Sequence, residues 1–222
     1  MPILYGAPLS PFVRKVAVAM EEKNIAYEWN PVRPHDRLEE FGRISPLGKI
    51  PAYKDDLVAL ADSSVICFYL EKTHPEKSLY PADTLELVRA LWFEEYFDGG
   101  MITPMSTVYF QKWMNPLLGK PMDEALVKEA IEITLPPMFD YLESQLKPNR
   151  WMVGEHFSIA DISLAVGFMN LHLAGYPLDK MRYPKLAGYV ERALERPSFK
   201  KCEAFMQVFI RKMKEKLSKP KE

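Results

Sequence analysis

The spacing of apolar residues along the chain changes near residue 80. Before that point, short apolar runs with strand spacing alternate with helical stretches, whereas after it the apolar positions recur only every three or four residues. Residues 74–81 contain two prolines around a polar stretch and show no periodicity, which is typical of a linker. We therefore predict an α/β domain at 1–76, a linker at 77–83 and an all-α domain at 84–222.

The beginning of the chain has the pattern of a strand, a helix and a second strand. An apolar run at 3–5 predicts the first strand, and Tyr-Glu-Trp at 27–29 predicts the second. Ser10 suits the N-cap of the helix between them, Pro11 suits its first turn, and we expect the helix to end near Asn24. Together these elements predict a βαβ unit. The apolar stripe of the helix consists of Val13, Val16, Ala17 and Met20.

The next pattern predicts a hairpin followed by a helix, after a polar segment with one or two helical turns at 37–43. We expect a strand that opens at Pro51, a turn, and a second strand at 57–60. The helix begins at Asp62 and Ser63, with Ser63 as the candidate N-cap. Because a helix start has unpaired N–H groups and a partial positive charge, it can also bind an anionic ligand group. From these residues alone, Ser63 is either a cap or a ligand contact.

In the all-α half, two adjacent prolines at 136–137 are expected to kink or break a helix whose stripe begins at Leu126. Ser-Ile-Ala-Asp at 158–161 is a capping-box pattern in which Asp161 has a structural role. The basic residues at 211–222 predict a solvated, frayed tail. The stripe of the first helix consists of Leu85, Val88, Trp92 and Tyr96, and the buried face after the capping box consists of Ile162, Val166 and Met169.

Composition narrows the class of protein. The chain has 222 residues, with 29 basic and 30 acidic side chains and a net charge of −1, so neither a nucleic-acid partner nor a membrane surface is indicated. No long apolar run or signal peptide pattern is present, and we expect a cytoplasmic protein. Cys67 and Cys202 lie far apart, which predicts two buried thiols and neither a disulfide nor a metal site.

Four short motifs in this layout carry a resemblance to a known family. They are Gly-Ala-Pro-Leu-Ser-Pro-Phe at 6–12, Ser-Pro-Leu-Gly-Lys-Ile-Pro-Ala at 45–52, Asp-Ser-Ser-Val-Ile at 62–66 and Ser-Ile-Ala-Asp at 158–161. In this order the chain resembles the cytosolic glutathione transferases, and among them the serine-type enzymes of the bacterial and plant phi-like or theta-like kind. The resemblance implies a thioredoxin-like domain followed by a helical domain, with glutathione as co-substrate and no metal.

The resemblance also implies where glutathione binds. Ile50-Pro51 is expected to be a cis peptide bond whose Ile50 backbone pairs with the cysteinyl unit of glutathione. Asp62 and Ser63 are expected to bind the γ-glutamyl group, with Ser63 toward its carboxylate and Asp62 toward its ammonium. Lys49 can meet the glycyl carboxylate, or it is only a solvated surface residue. His35 and Arg37 are less certain helpers with the same alternative.

Within this family the thiol of glutathione must be ionised near neutral pH, since the thiolate is the nucleophile. The resemblance favours Ser10 as the residue that stabilises it, by a hydrogen bond at a helix start, although Ser10 can also be no more than an N-cap. Tyr5 is the rival activator, because other classes use a tyrosine near the end of the first strand. Related proteins that reduce disulfides carry cysteine where Ser10 stands, which argues against a mixed-disulfide mechanism here.

The leading function is a glutathione S-transferase that joins glutathione to a small hydrophobic electrophile, and the resemblance implies that it acts as a homodimer. Phe12, Tyr109 and Trp113 are candidate contacts for the electrophile, although a stripe of Met and aromatic residues at helical spacing is also typical of plain core. Two alternatives remain: a glutathione-dependent peroxidase or isomerase, and a non-catalytic regulatory protein on the same scaffold, like the starvation proteins. The electrophile itself is not determined by the sequence.

Overall fold

The N-terminal part of the chain forms a four-stranded mixed sheet with helices. In this computed structural model, which describes residues 1–34, 39–148 and 150–218, strand β1 (Ile3–Tyr5) pairs parallel with β2 (Glu28–Asn30) and antiparallel with β3 (Ala52–Lys54), and β4 (Ala59–Ala61) pairs antiparallel with β3. The strand order is β2-β1-β3-β4, which confirms the predicted βαβ and ββα units. The elements are β1 (Ile3–Tyr5), α1 (Pro11–Glu22), β2 (Glu28–Asn30), α2 (Glu39–Ile44), β3 (Ala52–Lys54), β4 (Ala59–Ala61) and α3 (Ser63–Thr73).

Helices cover both faces of this sheet. Successive residues of a strand face opposite sides; in β3, Ala52 lies in a buried cluster with Phe41 of α2, whereas the Tyr53 ring lies 5.9 Å from the Tyr69 ring of α3. Helix α1 packs against β1 and α3. The apolar stripe predicted for α1 is fully buried, which confirms it.

The second strand of the hairpin was expected at 57–60 but lies at Ala59–Ala61. The Asp55 carboxylate explains the difference, because its Oδ1 accepts hydrogen bonds from the amides of Leu57 and Val58, both at 2.8 Å. These amides are used to close the turn and are not available to a strand. The turn is therefore longer than the sequence pattern indicates.

From residue 84 onward, the regular secondary structure of the described chain consists of helices. It contains α4 (Thr84–Glu95), α5 (Ile102–Tyr109), α6 (Asn115–Leu117), α7 (Glu124–Glu129), α8 (Leu135–Gln145), α9 (Ile159–Leu173), α10 (Pro184–Leu194) and α11 (Pro197–Leu217). Three π-helical segments connect neighbouring helices, at Tyr96–Met101, Phe110–Met114 and Ala130–Thr134. The predicted α/β-plus-all-α fold class is confirmed.

The two adjacent prolines at 136–137 do not end the helical path. They occupy the first turn of α8, and the π-helical segment Ala130–Thr134 lies directly before them. Proline has no N–H to donate and its ring crowds the preceding turn, so α-helical hydrogen bonding must be interrupted here. The interruption takes the form of a π segment and the chain remains helical on both sides.

Helix α9 is buried on every side, and not only on the face expected from its apolar spacing. All residues from 159 to 171 are buried. Gly167 is required by close packing, since a Cβ there would lie 2.4 Å from the ring of Phe97. The helix begins with the predicted capping box of Ser158 and Asp161, and Asp161 is fully buried. The structural role predicted for Asp161 is confirmed.

Two surface features differ from the sequence expectation. The stripe of α4 is largely exposed, with Leu85 at 76%, Val88 at 59% and Trp92 at 54% of their accessible surface. The tail is helical as far as Leu217, because α11 continues through it, so the prediction of fraying is wrong for 211–217. Residues 219–222 lie outside the described chain. The thiols of Cys67 and Cys202 are buried, as predicted.

The chain divides into two compact units. One, called here the thioredoxin-like unit, consists of Met1–Tyr80 together with Pro197–Met206; the other, the helical unit, consists of Pro81–Arg196 and Gln207–Glu222. The first half of α11 therefore groups with the sheet. Across the described residues, no helix is both long and apolar enough to cross a membrane.

Candidate active site

Ser10 stands at the N-terminus of α1. Its backbone is extended, with φ −75° and ψ 125°, and its Oγ accepts a hydrogen bond from the Val13 amide at 3.4 Å. A hydroxyl that accepts through a lone pair keeps its own proton for donation. The side chain of Ser10 is half-buried. The predicted N-cap is thus confirmed, and capping does not prevent Ser10 from donating to an anion at the same helix end.

Gly6 connects β1 to the loop before α1 at a place with no room for a side chain. Its φ is +148°, and a Cβ would lie 2.4 Å from Val13 Cγ2 and 3.2 Å from Ile50 Cβ. Its amide donates to the Asn30 carbonyl at 2.9 Å, and its carbonyl accepts from Trp29 Nε1 at 2.8 Å. The start of α1 and the segment around Ile50 therefore meet at this glycine.

The Ile50-Pro51 peptide bond is cis, which confirms the expectation drawn from the resemblance. The antiparallel pairing of β1 with β3 ends at the pair Tyr5 and Ala52, so Ile50 lies beyond the last paired residue. The segment before it is held by Ser45, whose Oγ donates to the Lys49 carbonyl at 2.7 Å. A backbone segment beyond the last residue pair of a ladder is suited to pairing with a short peptide.

Asp62, and not Ser63, is the N-cap of α3. Its Oδ1 accepts hydrogen bonds from the amides of Ser64 and Val65, at 3.0 and 3.1 Å, whereas Ser63 is the first helical residue and is buried. The prediction of Ser63 as the cap is wrong because two good capping residues stand side by side, and only the backbone selects between them. The φ of Asp62 is +102°, an unusual value for a residue with a side chain.

The two predicted binding segments are connected through the backbone. The Asp62 amide donates to the Pro51 carbonyl at 3.4 Å. Asp62 is exposed, so its carboxylate is accessible to a ligand while Oδ1 caps the helix. The structure therefore brings Ile50-Pro51 and Asp62-Ser63 into one region of the thioredoxin-like unit.

Lys15 is a polar residue near this region that sequence reasoning missed. It is fully buried in α1, and its Nζ donates to Ser64 Oγ in the first turn of α3 at 2.9 Å. A cation is unfavourable beside the positive end of a helix unless anionic groups lie nearby. The only sequence signal was a lysine next to the apolar stripe of α1, a pattern that usually indicates an exposed position.

Tyr5 faces the opposite side of the sheet from Tyr53 and α3. It is 2% exposed and belongs to the cluster with Phe41 of α2. The pKa of Tyr5 is raised above its ordinary value, first by burial and then by the neighbouring Glu40 carboxylate. A buried phenol beside a carboxylate is a poor stabiliser for a second anion.

The remaining candidates are spread over the chain. Lys49 is exposed and Phe12 is half-buried. His35 and Arg37 lie outside the described residues. In the helical unit, the Tyr109 and Trp113 rings stack at 5.4 Å with an interplanar angle of 24°. The contacts of these residues with substrates stay predictions.

Tyr109 lies in the core of the helical unit, where it is 2% exposed, and its neighbour Phe110 is 49% exposed. The aromatic pattern thus includes both buried and exposed positions. Within residues 1–34, 39–148 and 150–218, no group of three or more His, Cys, Asp or Glu side chains is arranged to hold a metal ion.

Comparison with known families agrees with this arrangement. The family model for the glutathione S-transferase N-terminal domain matches residues 4–78, and the model for the glutathione S-transferase C-terminal domain matches residues 125–192. A thioredoxin-like unit followed by a helical unit, matched in this order by the two family models, is the arrangement of the cytosolic glutathione transferases.

Individual relatives place the chain within that class. Glutathione S-transferase 3 of Zea mays is 31% identical over 169 residues, which cover 73% of this chain and 75% of the relative. Glutathione S-transferase F13 of Arabidopsis thaliana is 29% identical over 216 residues, covering 92% and 96%. The solved structure of glutathione S-transferase I from maize, in complex with an atrazine glutathione conjugate, superposes with a TM-score of 0.83 at 25% identity, covering 93% of this chain and 98% of that one. The chain belongs to the glutathione S-transferase family.

Proposed function

We propose that this protein catalyses the attack of the glutathione sulfur on an electrophilic carbon of a small hydrophobic compound. The observation that carries the proposal is the hydroxyl of Ser10 at the N-terminus of α1. It lies in the same unit as the cis Ile50-Pro51 bond and the Asp62 cap of α3. A tripeptide with one thiol, two carboxylates and an ammonium group has a matching partner for each of its groups in this unit.

The binding mode follows from the charges and backbone groups available. The γ-glutamyl carboxylate of glutathione binds at the start of α3 with Ser63, where the helix offers N–H groups and a partial positive charge. The exposed Asp62 carboxylate pairs with the γ-glutamyl ammonium. The backbone of Ile50 pairs with the cysteinyl unit, and the exposed Lys49 meets the glycyl carboxylate.

Ser10 stabilises the thiolate in this proposal. A cysteine thiol has a pKa of about 8.5, so most of it is protonated at neutral pH. The Ser10 hydroxyl donates to the sulfur anion, and the helix start adds a favourable field. Together they lower the thiol pKa by roughly one to two units. The thiol proton is released to solvent, the thiolate forms a carbon–sulfur bond, and the leaving group departs with the electron pair.

Tyr5 is not the activator in this proposal, because it is buried on the α2 side of the sheet and the Glu40 carboxylate near it raises its pKa. Position 10 carries a serine, and the two cysteines of the chain are buried elsewhere. Direct attack of glutathione on the electrophile is therefore favoured over a mixed disulfide with the protein. Peroxidase and isomerase reactions use the same thiolate and are a second candidate activity.

Three finer features belong to the proposal. Trp113, half-buried in the helical unit, contacts the electrophile, and the core residue Tyr109 supports its ring by stacking. The protein acts as a cytoplasmic homodimer, which the exposed apolar residues Leu85 and Val88 of α4 support, since a face of this kind is stabilised by burial against a partner. Analytical ultracentrifugation should detect the dimer, and a monomer at all concentrations would contradict it.

Calorimetric titration with glutathione, followed by steady-state assays with electrophiles, hydroperoxides and isomerisable dienoates, tests the proposal. We expect saturable binding and turnover with at least one electrophile. The absence of binding at millimolar glutathione would favour a regulatory protein on this scaffold. Binding with turnover of hydroperoxides or dienoates alone would favour the second candidate activity.

A further inference from the structure

The loop between β1 and α1 is held by two hydrogen bonds to its carbonyl groups. Trp29 Nε1 donates to the Gly6 carbonyl at 2.8 Å, and Arg14 Nη1 donates to the Pro8 carbonyl at 3.0 Å. The Ser10 amide in turn donates to the Ala7 carbonyl at 3.0 Å. The backbone that carries Ser10 is therefore held at Gly6, Ala7 and Pro8, just before the N-cap.

Both donor side chains contact the same helix, α11. The Trp29 indole stacks on the Phe205 ring, with centroids 4.4 Å apart and an interplanar angle of 7°. Arg14 Nη1 also lies 3.3 Å from the Met206 sulfur. Phe205 and Met206 belong to the part of α11 that groups with the thioredoxin-like unit. A segment about 200 residues along the chain thus supports the loop of Ser10.

Trp29 is the more informative of the two donors. Its side chain has a single N–H, and that group is used on Gly6. Gly6 has little freedom to move, since its φ is +148° and Val13 and Ile50 lie close to it. Loss of the Trp29 bond leaves the Gly6 carbonyl without this donor and loosens the link through Ala7 to Ser10.

We propose that Trp29 is a positioning residue for Ser10, and that Phe205 orients the Trp29 indole for this purpose. The inference rests on the proposed role of Ser10 in stabilising the glutathione thiolate. Its physical basis is that hydrogen bonds weaken steeply with angle and distance, so a small displacement of the Ser10 hydroxyl reduces stabilisation of the sulfur anion.

The variant Trp29→Phe tests the proposal, because it keeps an aromatic ring that can stack on Phe205 and removes the N–H donor together with the second ring of the indole. We expect the pKa of the bound glutathione thiol, followed by thiolate absorbance, to rise by about half a unit, and kcat/KM at neutral pH to fall about twofold to threefold. At high pH the rate should approach that of the wild type. Tyr27→Phe is the matched control, since it removes one polar atom from the neighbouring aromatic ring without touching Gly6, and it should leave the thiol pKa unchanged.

A double-mutant cycle with Ser10→Ala separates this inference from the proposed function. If Trp29 acts through Ser10, Trp29→Phe should not raise the thiol pKa further in the Ser10→Ala background. If Ser10→Ala alone leaves the thiol pKa unchanged, the proposed role of Ser10 fails and the inference falls with it. If Ser10→Ala raises the thiol pKa and Trp29→Phe does not, only the inference is overturned.

Hydrogen exchange supplies a readout without turnover. Trp29→Phe should speed exchange of the amides in residues 6–13 in the unliganded protein, because their carbonyl partners become less fixed. Phe205→Leu keeps the indole donor and removes the stacked ring, so it should produce the same changes at smaller size. Phe205→Leu also tests the positioning role if Trp29→Phe fails to fold. Unchanged exchange in both variants, or a loss of rate that is the same at every pH, would overturn the positioning role.

Discussion

Asp62 is the N-cap of α3, and Asp161 lies in the first turn of α9. Both carboxylates accept hydrogen bonds from backbone amides, but their surroundings differ. Asp62 is exposed at the start of α3, and the two amides that its Oδ1 accepts belong to that helix. Asp161 is completely buried near the start of α9. Its carboxylate accepts from the amides of Met152 and Ser158 at 2.8 Å, from the Tyr189 hydroxyl at 2.9 Å, and from Ser158 Oγ at 3.2 Å.

Burial gives these two aspartates different roles. The four donors of Asp161 all belong to the helical unit, so its hydrogen-bonding capacity is used within the protein. Asp62 keeps access to solvent and therefore to a ligand. Burial also raises the pKa of Asp161 to about 6, against the opposing effect of its hydrogen bonds. The buried aspartate stabilises the fold, and the exposed one suits binding.

Asp161→Ala should have the largest effect. It removes the acceptor of several buried donors, each of which costs free energy when left unpaired, so we expect the free energy of unfolding to fall by roughly 2–4 kcal/mol. Urea denaturation followed by circular dichroism measures it. Asp83→Ala is the matched control, because Asp83 is an exposed N-cap on α4 with two amide bonds, and it should cost about 1 kcal/mol. Equal losses in the two variants would contradict the role of burial.

The raised pKa of Asp161 predicts a dependence of stability on pH. A folded-state pKa above the ordinary value means that the native protein holds the proton more tightly, so the stabilisation is full at low pH and is lost as the pH rises through about 6. A rise from 3.8 to about 6 corresponds to up to about 3 kcal/mol. The difference in unfolding free energy between wild type and Asp161→Ala should therefore narrow between pH 4 and pH 7, in that window only. A difference that stays constant with pH would show that Asp161 titrates normally.

Ser10→Ala is expected to act mainly on the chemistry, with a loss of about 1 kcal/mol of stability because the N-cap of α1 is removed. The thiol pKa of bound glutathione should rise by about one to two units, and kcat/KM at neutral pH should fall by roughly 10-fold to 25-fold. The pH–rate profile of kcat/KM measures both. Tyr5→Phe is the control, because Tyr5 is buried and its pKa is raised, and this variant should leave the pH–rate profile unchanged. A shifted profile in Tyr5→Phe with none in Ser10→Ala would reverse the assignment.

Asp62→Asn is expected to have a smaller effect, and it tests whether the exposed aspartate binds the ligand. The amide oxygen can still accept from Ser64 and Val65, so stability should change little, whereas loss of the negative charge should weaken glutathione binding about tenfold. Asp62→Ala should lose the same affinity and also about 1 kcal/mol of stability, because the cap is removed. Calorimetric titration together with thermal unfolding separates the two effects. Full affinity in Asp62→Asn would place the ligand ammonium elsewhere.

Local patterns in the sequence were sufficient for the elements and for part of the site. The fold class, the βαβ and ββα order and the Ser10 cap follow from spacing and from residues with strong local preferences. The cis bond at Ile50-Pro51 followed only from the resemblance. Local patterns failed where two adjacent residues had the same preference, as at Asp62 and Ser63, and where a side chain closed a longer turn, as at Asp55.

The sequence by itself determined which segments form helices and strands, because hydrophobic period and capping chemistry act between neighbours in the chain. Only the tertiary structure decided which polar groups are buried and which remain accessible. It buried Lys15 and Asp161, left Asp62 exposed, and placed Phe205 against Trp29. The physical reason is that burial and contact between distant residues depend on how elements pack together, and no local pattern records that packing.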